Sequence, residues 1–174
     1  MKIILCLLSA TALLCGCATY ISNPEQSARG TTLVYDPYAG GFAVTGKRLN
    51  CGDFPNKTRL WLRGGFDKNR QGEFFQLYVY YWSQTGWMFL KSASDSDAMD
   101  LPLRVLNQDL GILSDTVEEH VAVDMTRDYL IAHFKSGFNI RIVGSKGNLT
   151  VRVPGMYVEG FLNKFDLFKT QPAK

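Results

Sequence analysis

"EFFQLYVYYW", residues 73–82, is the stretch on which the fold turns. Aromatic and β-branched residues at this density favour a strand. The break that follows, Ser83-Gln84-Thr85-Gly86, ends in glycine, and "WMFLKSA" (87–93) comes directly after it, a pattern that predicts a hairpin. In a strand, alternate side chains point to opposite faces, so Leu77, Val79 and Tyr81 share one side and Tyr78, Tyr80 and Trp82 the other. Both sides are apolar or aromatic. Either both are covered, with helices as the expected cover, or the Tyr78, Tyr80, Trp82 side is a strip presented to a ligand or partner. Tyrosine and tryptophan join an apolar body to a polar tip, which suits the faces of sugars and peptides.

Short runs of the same character lie on the N-terminal side: "TTLVYDP" (31–37), "GFAVTGKRL" (41–49) and "TRLWLRG" (58–64), each bounded by Gly, Pro, Asn or Asp. "GGFDKNRQG" (64–72) reads as a loop and "SASDSDAMD" (92–100) as an exposed acidic one. "LPLRVLNQDLG" (101–111) and "VEEHVAVDM" (117–125) read as two further strands. The hydrophobic period then changes. "TRDYLIAHFKSG" (126–137) offers Thr126 as an N-cap and Gly137 as a stop, with Leu130 and Phe134 four apart, which predicts a helix near 126–136. Near the C-terminus, Tyr157, Phe161, Phe165 and Phe168 form one stripe with Val158 and Leu162, while Glu159, Asn163, Lys164 and Asp166 fall opposite. This predicts an amphipathic helix near 155–168, entered through Pro154.

Between the two helices, "FNIRIVGSKGNLTVRVP" (138–154) predicts a hairpin turning at Lys146-Gly147. That register sets Ile140 opposite Val153 and Ile142 opposite Val151, and on the other side places Arg141 opposite Arg152. Like charges directly opposite are unfavourable, so water on an exposed face, a carboxylate between them or a bound anion should compensate, and the two arginines are a candidate ligand or partner surface. Many strands followed by helix, hairpin and helix, with no internal repeat, predict an α+β fold built on an antiparallel sheet, for which a sandwich-like arrangement is one form.

The first twenty residues are of a different kind. Met1-Lys2 is followed by an almost wholly apolar run to Leu14. A dozen such residues fall short of the roughly 20 that span a bilayer core but fit the apolar region of a secretory signal. The run ends in Leu14-Cys15-Gly16-Cys17. This resembles the lipobox of bacterial lipoproteins: Leu at −3, small residues at −2 and −1, and Cys at +1. The resemblance covers residues 1–18. It implies a signal peptide over 1–16, cleavage before Cys17, a diacylglyceryl thioether on the Cys17 thiol and usually an acylated N-terminus. It also implies a membrane anchor and, because Ala18 rather than Asp stands at +2, an outer-membrane location facing the periplasm. Two or more acyl chains make a stable anchor where one is marginal. Residues 17–30, polar and small with Pro24 and Gly30, then read as a lipidated tether, and 31–174 as a single periplasm-facing domain.

Formal net charge is only +3, and Lys2 leaves with the signal, so nothing suggests nucleic acid. Cys6 and Cys15 leave as well, which makes Cys51 a lone thiol, expected to be buried as a small apolar side chain. No catalytic triad, metal-ligand cluster or Gly-rich phosphate loop is legible, so no catalytic residue, metal or cofactor is assigned. Three weaker clusters carry simple structural readings: Cys51 with His120 or His133 as nucleophile and base, Asp95, Asp97 and Asp100 as a cation loop, and Arg63, Lys68 and Arg70 as an anion loop. The expectation is a lipid-anchored envelope protein with a non-catalytic binding or assembly role, whose partner is an envelope protein or glycan. The alternative is a periplasmic hydrolase or thiol enzyme using Cys51 or a histidine.

Overall fold

The computed structural model describes residues 21–36, 40–52, 55–111 and 115–171. The lipobox and its Cys17 lie outside the described residues. The elements run α1 (Pro24–Arg29), β1 (Thr32–Asp36), β2 (Gly41–Thr45), β3 (Leu49–Cys51), β4 (Asn56–Asp67), β5 (Glu73–Ser83), β6 (Leu90–Asp95), β7 (Asp100–Leu101), β8 (Leu103–Leu110), β9 (Val117–Met125), α2 (Arg127–His133), β10 (Phe138–Gly144), β11 (Asn148–Val153) and α3 (Gly155–Thr170). The fold is α+β, and every strand pair in it is antiparallel. A seven-stranded sheet has the order β1-β2-β4-β5-β9-β8, with β3 also on β4, and a four-stranded sheet has the order β11-β10-β6-β7.

One hydrophobic cluster takes its residues from both sheets and from α3. The seven-stranded sheet contributes Leu60, Leu62, Leu77, Val79, Tyr81, Val121 and Val123, and the four-stranded sheet Ile140, Ile142, Val151 and Val153. Tyr157, Val158, Phe161 and Phe165 of α3 are fully buried against them, and Phe165 meets both Phe66 and Phe75. Thr126 caps α2 by accepting the Tyr129 N–H, and the Gly137 N–H returns to the His133 carbonyl, at the two positions the sequence marked.

Six expectations are corrected. Residues 92–95 are not part of an exposed loop: they complete β6, with Ala93 and Asp95 buried. The stretch 73–93 is not a hairpin: β5 pairs with β4 and β9, whereas β6 lies in the other sheet. The connection crosses between sheets because the fully buried Glu119 carboxylate accepts the N–H groups of Met88, Phe89 and Leu90 and bends the chain away, with Phe89 at φ 53°.

Residues 64–67 are strand, not loop. The backbone and ring of Phe74 come so close to Gly64 and Gly65 that a Cβ at Gly65 would lie 2.5 Å from the ring. Residues 45–49 do not continue β2: the chain breaks between Thr45 and Leu49, and β3 is a separate strand on β4.

The stretch expected to be tether contains α1. Ser27 of α1 is buried and donates to the Tyr157 carbonyl, and the Pro24 carbonyl approaches Gly160 so closely that no Cβ fits there. In the last hairpin, Ile140 faces Val151 and Ile142 faces Leu149, so the register differs from the expected one by two residues. Four residues, 144 to 147, separate the last pair, Val143 and Asn148, with the Gly144 N–H bonded to the Gly147 carbonyl. A shift of two keeps the isoleucines inside but places Arg141 opposite Thr150 and Arg152 opposite Asn139.

Candidate functional site

The outward side of β4 carries Lys57, Arg59, Trp61 and Arg63, while Thr58, Leu60 and Leu62 point into the core. Register sets Lys57 opposite Trp82, Arg59 opposite Tyr80, Trp61 opposite Tyr78 and Arg63 opposite Gln76. Tyr78, Tyr80 and Trp82 therefore do share a face, as the sequence placed them, and each is half-exposed. That face is not the one α3 covers, because α3 packs on the opposite side through Phe66 and Phe75.

Trp61, Tyr78, Tyr80 and Trp82 each carry a cation. Arg48 lies over Trp61 (5.0 Å to the ring centre), Lys57 over Trp82 (5.1 Å), Arg59 over Tyr80 (5.7 Å) and Arg63 over Tyr78 (4.8 Å). Trp61 and Tyr78 stack at 4.2 Å and 21°. Among the described residues, none of these four cations forms an ion pair with a carboxylate. The Arg63 Nε donates to Gln76 at 2.7 Å, and burial lowers the Arg63 pKa, so its guanidinium is partly stripped of water.

The acidic groups of the face stand on β9 and β8, two and three strands from β4, and at the far end of β4 itself, where Asp67 follows Gly65. On β9, Asp124 accepts from Gln76 and, at 2.8 Å, from Arg104 of β8. Glu118 stands 3.7 Å from His120 Nε2, and His120 Nδ1 is 2.6 Å from the Tyr78 hydroxyl. Burial and then the Glu118 hydrogen bond push the Tyr80 pKa up to about 12, and burial also raises that of Tyr78. Both phenols are neutral across the physiological range. Beyond Gln76, Phe74 leans over Gly65, and a depression of about 390 Å³, lined also by Gly41 and Ala43, opens beside it.

The other sequence candidates are dispersed. Arg141 and Arg152 are exposed on the four-stranded sheet, not on this face, and do not oppose one another. Arg70 donates to the Phe168 and Lys169 carbonyls and so caps the C-terminus of α3. Asp95 is buried and accepts the N–H groups of Asp97 and Met99, which shapes a turn. Cys51 is disulfide-bonded rather than a lone thiol, and the other three cysteines lie outside the described residues. The cleft it lines, with Asn56, Tyr81, Met88 and Val151 among its walls, contains no histidine among the described residues. His133 binds the Tyr129 carbonyl at 2.8 Å, at the end of α2.

The sequence reading missed Lys57, Arg59, Trp61 and Arg48. The signal for three of the cations and Trp61 was present in "KTRLWLR" (57–63), where every odd position is basic or aromatic and every even one is Thr or Leu. No family model, no curated protein and no solved structure matches this chain.

Proposed function

We propose that this chain is a lipid-anchored protein of the bacterial envelope that binds a partner without catalysis, on the outer side of its seven-stranded sheet. The anchoring half rests on Leu14-Cys15-Gly16-Cys17, with Cys17 as the thioether and an outer-membrane, periplasm-facing location. The binding half rests on one observation, the row of Arg48, Lys57, Arg59 and Arg63 stacked on aromatic rings with no carboxylate partner among the described residues. On this reading the two sheets close together in a sandwich-like way and the amphipathic stripe of α3 fills the gap. The Tyr78, Tyr80, Trp82 side then remains for a ligand. Arg141 and Arg152 drop out of the site.

The enzyme alternative keeps one specific feature, the Tyr78–His120–Glu118 chain, but that chain lies on an open face rather than in a cleft.

Mass spectrometry of the membrane-extracted chain tests the anchor. Expected is an N-terminus at Cys17 bearing diacylglyceryl and acyl groups. A Cys17 that is unmodified, or that is disulfide-bonded to Cys51, overturns the lipoprotein reading. Capture of envelope partners by the wild-type chain but not by an Arg48→Gln/Arg59→Gln chain supports the binding half, and capture that ignores both substitutions removes it.

A further inference from the structure

We infer that the cation-bearing face binds an acidic glycan chain, running along β4 and β5, whose carboxylates are taken by Arg48, Lys57, Arg59 and Arg63. This rests on the binding reading above and names its ligand class.

Spacing is the first support. Alternate residues of a strand recur about every 6.6–6.8 Å, so Lys57, Arg59 and Arg63 form a straight row about 20 Å long. Arg48, just before β3, lies beside it over Trp61. A linear polymer with repeated anionic groups meets such a row many times over.

Preorganisation is the second. A guanidinium stacked on an aromatic ring keeps its in-plane N–H groups, and these match a carboxylate in paired fashion. Arg59 over Tyr80 and Arg48 over Trp61 are held in this way and are exposed. The carboxylates of the face lie on β9 (Glu118 and Asp124), on β8 (Asp109) and at the far end of β4 (Asp67), so the field around Arg48, Lys57 and Arg59 is positive and steers an anion to that part.

Ligand class is decided by what the face lacks. β4 pairs with β5 on one side and with β2 and β3 on the other, and β5 pairs with β4 and β9. Among the described residues, β4 and β5 leave no backbone N–H or C=O row open for an acidic peptide to add as a strand. The face offers half-exposed rings with hydroxyl and indole tips, which suit sugar C–H faces and hydroxyls. An anionic lipid surface is disfavoured by position. α1, the described element nearest Cys17, joins α3, which packs on the opposite side of the sheet.

The test is calorimetric titration of the full chain, at low and high salt, with four probes. These are oligogalacturonate, neutral maltoheptaose, poly-glutamate and phosphatidylglycerol vesicles. Expected is binding of oligogalacturonate, weakened at least tenfold by high salt and at least tenfold by Arg48→Gln/Arg59→Gln. Both of those side chains are exposed, so the fold is kept, and Lys91→Gln on the other sheet has no effect. A Trp61→Ala chain with an unchanged melting profile also loses at least tenfold. Equal or tighter binding of poly-glutamate or of the vesicles overturns the glycan class in favour of an acidic protein or lipid. Maltoheptaose binding as tightly as oligogalacturonate, and lost in Trp61→Ala, overturns the acidic class and leaves the binding reading standing. Oligogalacturonate binding untouched by every outer-face variant overturns the site. Silence from all four probes overturns the inference, and the partner-capture experiment then decides the binding reading separately.

Discussion

Replacing Glu119 should damage this fold more than any surface change, and in a graded way. Its carboxylate is fully buried, with Oε1 accepting from the Met88 N–H (2.6 Å) and the Phe89 N–H (3.1 Å). Oε2 accepts from the Leu90 N–H (3.0 Å) and from Gln108 Nε2 (3.2 Å). Glu119→Ala leaves three backbone donors without an acceptor, and each orphaned buried donor costs about 1–3 kcal/mol. Met88 and Phe89 are partly reached by water and are counted at the low end, Leu90 near the middle. Removing a buried charge returns part of that sum, because its desolvation is no longer required. The net expectation is a loss of about 3 kcal/mol, a large share of the 5–15 kcal/mol that stabilises a typical domain. Glu119→Gln keeps the Oε1 acceptor but turns an amide N–H₂ toward the Leu90 and Gln108 donors, for a loss of about 2 kcal/mol. Urea unfolding supplies the measurement, read as a shift in midpoint at constant slope. Amide exchange at Met88–Leu90 should quicken in the Ala variant before exchange in β10 does. An Ala variant within about 1 kcal/mol of the parent would refute the reasoning, since a carboxylate that organises the crossover cannot be removed so cheaply. A Gln variant as stable as the parent would show that the charge itself contributes nothing.

Three further outcomes are expected. Gly160→Ala forces a Cβ onto the Pro24 carbonyl and should cost about 1–3 kcal/mol by overpacking, with Pro24–Arg29 becoming sensitive to protease first. Tyr157→Phe removes the hydroxyl that accepts the Leu62 N–H and donates to the Lys47 carbonyl, both at 2.8 Å, and should lower stability by about 1–3 kcal/mol in urea. The Glu73 pKa is held below the usual carboxylate range by its hydrogen bond from Arg127, with Lys169 adding to the effect. A depressed folded pKa means that this stabilisation is present above the unfolded value of about 4.3 and is lost as pH falls through the lower folded one. Stability should therefore drop with acidification below about pH 4.3, and Glu73→Gln should flatten that part of the profile; an unchanged acid limb would exclude the Arg127 pairing as its source.

What the sequence determined by itself was whatever a residue's immediate neighbours decide. Thr126 caps α2 and Pro154 opens α3, because the groups they satisfy lie within one turn. Leu77, Val79 and Tyr81 face opposite to Tyr78, Tyr80 and Trp82, because pleating alternates side chains wherever the strand is placed. The α+β class follows from those same periods.

Only the tertiary structure decided pairing and position. The apolar alternation of 73–93 is the same whether the two strands share a sheet or lie in different ones, and a buried carboxylate thirty residues away selects the second. A two-residue shift in the last hairpin buries the same isoleucines, so side-chain pattern could not detect it, yet it separates Arg141 from Arg152. Helix α1 has six residues, too few to be stable alone, and it exists because Gly160 lets it approach α3. The candidate site has the same origin. Arg59 and Tyr80 are twenty-one positions apart and become one stacked pair only when β4 and β5 zip in register, since an interaction between distant residues leaves no local mark on either.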